Sequence, residues 1–350
     1  MNTFGHNFRI SIFGESHGTC IGCTIDGLPA GFTLDLDYIR AELALRKPSK
    51  NIESTNRAED DKFSIVSGFF DGKCTGMPLT AIFTNKDVVS SYYKFGLARP
   101  SHADYTAAKK YGFSNDYRGS GSFSGRMTTA IVFAGALAKQ LLKENGIAIF
   151  SHIANIGGVC DLPFDKCTKA QPLLDRTFPL IDIAKRHLFD DKIKFAVENG
   201  TSLGGIVECA VIGLPVGIGE PFFNSVESMI SHIMFSVPAV HGIEFGLGFG
   251  FASLDGRDAN DAFLPNGTTM TNNSGGINGG ITNGMPMIFS VCFRPVPTIA
   301  SKQYALDITT NNLIEFSGNS RHDVCILPRG CVVVEAATAI AIYDLFISNT

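Results

Sequence analysis

Residues 126–145 constrain the fold most. The first half of this segment is apolar on nearly every side, and Gly146 stands where a helix would close. A helix with no polar face to offer water has to lie between layers of other structure. The rest of the chain must supply those layers. Apolar, β-like runs at 8–13, 205–212 and 287–293 provide strands, and 19–31 reads as a second strand with turns. Further helices are expected over 35–46, where Leu36, Ile39, Leu43 and Leu45 make an apolar face, and over 179–198, 222–235 and 334–347. Strands and helices mix without strict alternation, which gives an α+β class. No tandem period or low-complexity linker divides the sequence, so 1–350 reads as a single domain.

Local signals add detail. Ser101-His102-Ala103-Asp104 reads as an N-cap with an acid at the third helical position, opening a short helix that stops before Gly112. The polar stretch 47–61 reads as a surface loop. Segments 85–95 and 300–320 read as loops that close when ligands bind.

Composition excludes several classes. With 45% apolar and 18% charged residues the chain has material for a packed core and is not disordered. Its net charge of −4 argues against nucleic-acid binding through global charge, so an anionic ligand needs a local cluster of cations and N–H groups. Nine scattered cysteines, an odd number, follow a polar start with no signal peptide, which points to reduced thiols and a cytoplasmic location. Cys20 and Cys23 form a lone C-x-x-C with no second pair, and no metal-ligand spacing stands out. The apolar run 336–347 is interrupted by Asp344 and is too short to span a bilayer, so no membrane partner is expected.

Gly14-Glu15-Ser16-His17-Gly18 matches the G-x-S-x-G pattern of a hydrolase elbow, but the helix that elbow requires does not follow. What remains is a histidine in a glycine-flanked turn at a strand end. His17, His102 and His322 share neighbours rich in Gly, Arg and Asp, unlike His152, His187 and His232, which read as structural. Arg118-Gly119-Ser120-Gly121-Ser122-Phe123-Ser124-Gly125-Arg126 runs into the long helix and makes a candidate anion site, without Rossmann or P-loop spacing. Arg46, Arg57, Arg99 and Arg329 add loop cations, and Arg321-His322-Asp323 sets a cation, a proton donor and a base candidate in sequence. The residues alone point to acid–base chemistry on a phosphorylated anion, by elimination or transfer.

Taken together, these segments resemble the chorismate synthase family. The resemblance rests on Phe13 to Gly18, Asp26 to Gly31, Arg99 to Thr106, Asp116 to Gly119, Gly275-Gly276-Ile277 with Gly279-Gly280-Ile281, and Arg321-His322-Asp323, in the family's order. It implies a β-α-β sandwich with antiparallel sheets around central helices, assembled as a homotetramer. It also implies anti-1,4-elimination of phosphate from 5-enolpyruvylshikimate 3-phosphate to give chorismate, with reduced FMN as cofactor and NADPH at most as an indirect reductant. By the same resemblance His17 protonates the leaving phosphate, His102 sits at the flavin N1/O2 edge, and Asp323 works with flavin N5 on the C6 proton. Arg46, Arg99 and Arg126 would bind substrate. Ser122, Phe123, Ser124, Ala239, Gly279, Arg294, Pro295, Val296, Pro297, Thr298 and Arg321 would contact the flavin. The chain departs from the family pattern at Ile52, Ser122, Arg294 and Val324. Those departures motivate an alternative, a non-catalytic flavin- or anion-binding paralogue. An NADPH-linked flavin reductase is weaker, because no dinucleotide fingerprint is visible.

Overall fold

The architecture follows from two helices that have no solvent face. In a computed structural model, described for residues 2–47, 61–86, 90–164, 175–318 and 323–348, α3 (Thr128–Glu144) buries nearly every residue from Thr128 to Leu142, and α7 (Leu327–Ser348) does the same from Leu327 to Leu345. They pack along one another and cross closely: a Cβ on Gly135 would lie 2.4 Å from the Ala336 Cα. Any side chain at 135 would force the helices apart. The other helices are α1 (Leu36–Arg46), α2 (Asp104–Tyr111), α4 (Arg186–Glu198), α5 (Val226–Met234) and the single turn α6 (Gly256–Ala259).

Two five-stranded sheets enclose this helical layer, and every pairing in them is antiparallel. The first orders Thr3–Phe4, Arg9–Gly14, Cys20–Asp26, Leu79–Thr84 and Phe63–Ser67. The second orders Val159–Cys160, Ala148–Ile156, Gly205–Ile212, Met287–Phe293 and Val240–Phe245. Helix α3 rests on the first sheet and α7 on the second, and one continuous hydrophobic cluster joins all the layers. The expected α+β class and the antiparallel sandwich around central helices are both present.

Charged side chains inside this core are clustered so that they pair with one another. Lys139 Nζ donates to Glu42 (2.6 Å) and Glu335 (2.5 Å), Arg176 donates to the same two carboxylates, and Ser151 donates to Glu335, which locks α1, α3 and α7 together. Burial alone would raise the Glu42 carboxyl, but Lys139 and Arg176 hold it below its usual value. Near the other end of α7, the Asp344 carboxylate accepts from the backbone N–H groups of His6, Asn7 and Phe8 at 2.7–3.0 Å.

Several sequence expectations need correction. Helix α2 starts at Asp104, so its N-cap is Ala103, which has no side-chain acceptor, rather than Ser101; the Asp104 carboxylate is turned onto Arg99. The glycine-rich segment does not run straight into the long helix. Gly119, Ser120 and Gly121 have φ of 58°, 66° and 53°, so the chain winds through left-handed conformations first. The expected loop at 300–320 contains a β-hairpin, Gln303–Asp307 with Asn312–Phe316. The last helix, at 22 residues, is longer than the apolar run suggested; it is long and apolar enough to cross a membrane, yet 89% of its apolar window is buried in the protein. Of the stretch 47–61, residues 48–60 lie outside the described residues, and Asp61 is buried rather than at the surface.

Candidate active site

Between the sheets, at the N-terminal end of α7, lies a cavity of about 1020 Å³. His17 reaches it from the tight turn between the strands Arg9–Gly14 and Cys20–Asp26, an antiparallel pair with no helix after the turn, unlike a hydrolase elbow. The imidazole is 8% exposed and packs edge-on to the Tyr93 ring at 5.2 Å between centroids. Gly119 covers it from the other side: a Cβ there would lie 2.1 Å from His17 Nδ1. Glycine is therefore required at 119 both for its left-handed φ and for this contact.

The cations are preorganised by acids. Arg46, the last residue of α1, donates to Asp61 from Nε (3.2 Å) and Nη2 (2.5 Å), and Arg126 donates to the other carboxylate oxygen. Arg126 also donates from Nε to Asn85 (3.2 Å) and from Nη1 to Thr129 (3.2 Å). Arg99 grips Asp104 through its backbone N–H, Nε and Nη2, donates to Ser120 Oγ at 2.7 Å, and stacks over Tyr93. Arg329, in the first turn of α7, pairs with Asp323.

Burial raises the Asp61 carboxyl, but the guanidiniums of Arg46 and Arg126 reverse this and leave it below its ordinary value. Burial pulls the Arg46 guanidinium down; Asp61 offsets part of that, while Arg329 and Arg126 push further in the same direction. Three guanidiniums, Arg46, Arg126 and Arg329, set against two carboxylates, Asp61 and Asp323, leave an excess of positive charge facing the cavity. An anion is its natural complement.

A second group of expected residues also lines the cavity. His102 Nε2 shares a 2.6 Å hydrogen bond with Thr298 Oγ1, the Arg294 N–H donates to the Ala239 carbonyl (2.9 Å), and Arg294 Nη1 donates to the Ser101 carbonyl (3.1 Å). Ser202 Oγ fixes the Val296 carbonyl at 2.6 Å. Apolar side chains of Ile131, Val237, Ala239 and Val333 line the same space.

Of the residues expected from sequence, His17, His102, Asp323, Arg46, Arg99, Arg126, Ser122, Phe123, Ser124, Ala239, Arg294, Val296, Pro297 and Thr298 all line this one cavity. Two do not. Pro295 is exposed, its neighbours on either side facing inward; Gly279 lies exposed at the turn of the hairpin formed by Ile277–Asn278 and Ile281–Thr282, beside the start of α5 rather than its cavity end. Arg321 and His322 lie outside the described residues, as do Lys50, Ile52 and Arg57. Of the two arginines bracketing the glycine-rich segment, only Arg126 faces the cavity; Arg118 is turned onto Asp116. Sequence reasoning did not single out Tyr93, Asp61 or Asn85, and it took Arg329 for a loop residue. The spacing between Arg46 and Asp61 carries no periodic signal, so their pairing is a tertiary fact alone.

Comparison with known proteins is consistent along the whole chain. Residues 8–347 match the family model described as chorismate synthase. Chorismate synthases from Dehalococcoides mccartyi, Chitinophaga pinensis and Methanococcoides burtonii are 43%, 41% and 41% identical, over 98%, 99% and 99% of this chain and 96%, 97% and 96% of their own. A crystal structure of a chorismate synthase superposes with a TM-score of 0.75 at 27% identity, covering 99% of this chain and 93% of that one. The family match, the full-length relatives and the superposed structure agree: the chain belongs to the chorismate synthase family.

Proposed function

We propose that the protein catalyses anti-1,4-elimination of phosphate and the C6 proton from 5-enolpyruvylshikimate 3-phosphate, giving chorismate, with reduced FMN in the same cavity. The observation that carries this reading is the convergence of His17, His102 and Asp323 with Arg46, Arg99 and Arg126 on one space. That space lies at the top of the roughly 300–1,000 Å³ range of single-ligand sites, which suits a substrate beside a cofactor.

The lining residues also fit a flavin. An apolar lining (Ile131, Val237, Ala239, Val333) suits a flat ring system, and Ser122, Ser124, His102, Thr298 and Arg294 offer polar atoms at its edges. Bound there, reduced flavin would supply electron density to the allylic system. The chain does the rest. Arg46, Arg99 and Arg126 bind the substrate's anionic groups and stabilise charge developing on the leaving oxygen. His17 gives that oxygen a proton, and its burial keeps bulk water from competing. His102 fixes the protonation at the flavin edge, with its ring oriented by Thr298. Asp323 takes the C6 proton, its carboxylate aimed by Arg329.

The same reading includes a cytoplasmic homotetramer, with NADPH only as an indirect source of reduced flavin. Exposed Phe222, Phe223, Phe249 and Phe263, each more than three-quarters accessible, support burial against further copies. An anaerobic assay with 5-enolpyruvylshikimate 3-phosphate and chemically reduced FMN tests the reaction. Equal release of phosphate and chorismate is expected, with His17→Ala and His102→Ala each slower by about 10²–10⁴-fold. Binding of both ligands without phosphate release would overturn the reading and favour the non-catalytic paralogue.

A further inference from the structure

Asn85, just after the strand Leu79–Thr84, is half-buried and is not part of the cavity wall, yet it touches both halves of the acid–anion machinery. Its side-chain Nδ2 donates to the carbonyls of Glu15 (3.0 Å) and Gly18 (2.9 Å), the residues that bracket Ser16 and His17 in their turn. Its Oδ1 accepts from Arg126 Nε at 3.2 Å. Its backbone N–H donates to Thr19 at 3.2 Å. The amide orientation is set by chemistry: two carbonyls can only accept and a guanidinium can only donate, so nitrogen must face the turn and oxygen the arginine.

We propose that Asn85 is a positioning residue for the elimination, fixing the His17 imidazole relative to the Arg126 guanidinium so that both act on the same departing anion. The inference rests on the roles proposed above for His17 and Arg126. Both side-chain donors of the amide are committed to the turn, and a planar group bonded on both edges transmits the position of one partner to the other. The turn is also gripped from its other side, where the Ser16 N–H donates to the Gly121 carbonyl (3.1 Å) in the glycine-rich segment that ends at Arg126. Loss of the amide leaves that second tie in place, so the turn shifts rather than unfolds. A misplacement of about 1 Å in a proton-transfer geometry costs on the order of 10²-fold.

A double-mutant cycle reads this out with the full-length protein in the anaerobic assay. Asn85→Ala is expected to lower kcat about 10–100-fold with a much smaller change in KM, and to have an effect below roughly 3-fold in the His17→Ala background. Equal losses in both backgrounds would overturn the proposal, because Asn85 would then not act through His17. Should Asn85→Ala not fold, Asn85→Asp replaces it in the same cycle: it keeps the acceptor for Arg126 and removes both donors to the turn, so the same background-dependent loss is expected and an additive loss overturns it. Normal turnover by His17→Ala alone would instead refute the role of His17, a separate and recognisable result.

Discussion

Replacing Asp61 by Asn isolates the electrostatic design of the arginine cluster. The carboxylate side chain is fully buried, and its two partners, Arg46 and Arg126, have side chains only 7% and 3% exposed. The substitution keeps the shape, removes the single negative charge and turns an amide donor toward two donors. Leaving a buried charge without its partner costs about 3–5 kcal/mol. At roughly 2.1 cal/mol/K of unfolding entropy per residue, a chain of 350 residues loses about 4–7 °C of Tm for that cost. Differential scanning calorimetry or tryptophan-free dye fluorescence at pH 7 measures it. Because Asp61 has its folded pKa depressed, its stabilisation is complete above its unfolded value near 3.9 and is lost as pH falls through the folded value. The gap between the two proteins should thus be constant above about pH 5 and close only in acid. Inorganic phosphate should raise the Tm of Asp61→Asn more than that of the parent, with chloride of equal ionic strength as control, since an anion then supplies the missing complement. A Tm difference within about 1 °C at pH 7 would refute the argument that this carboxylate holds the arginines.

Two further tests address geometry and titration. Gly119→Ala should cut kcat by on the order of 10-fold or more, because its methyl group meets the His17 ring, whereas Gly112→Ala, with φ of 57° and open space around it, pays a similar backbone cost of about 1–2 kcal/mol and keeps activity; equal activities would exclude the contact as the cause. His152, held between Glu208 (2.8 Å) and Asp161 (3.3 Å), is shifted down by burial but up on balance by those two carboxylates. Its contribution is full below the unfolded value near 6.5 and disappears as pH rises through the higher folded value. The destabilisation of His152→Gln, followed as Tm from pH 6 to 9, should therefore shrink as pH increases, and a growing deficit would contradict the sign.

What the sequence revealed was mostly local. The all-round apolar pattern of α3 is a property of consecutive residues, so its central position could be read from the chain, as could the strand Gly205–Ile212 and the strand Met287–Phe293. His17 and His102 stood out because glycine and charged neighbours are unusual around a core histidine. Asp61 and Asn85 were invisible for the opposite reason. Each draws its meaning from partners 15 and 65 residues away for Asp61, and 41 and up to 70 residues away for Asn85. Ser101 was misread as the N-cap because composition cannot tell where a short helix begins; α2 starts three residues later, with Asp104 in its first turn and its carboxylate engaged by three donors of Arg99.

Asp344 also bears on how such a chain is made. Its carboxylate fastens the connection between the first two strands of the first sheet across a separation of 336 residues at Phe8, and α7 is the surface on which the second sheet rests. Translation at about 5–20 residues per second puts roughly 20–70 s between the appearance of Phe8 and that of Asp344. Until α7 is made, the inner face of the second sheet lacks the helix that covers it, whereas the first sheet already has α3. The nascent chain therefore passes through a long stage with strand edges and apolar surface in water, and its yield in a cell is governed by what shields it until the last helix arrives.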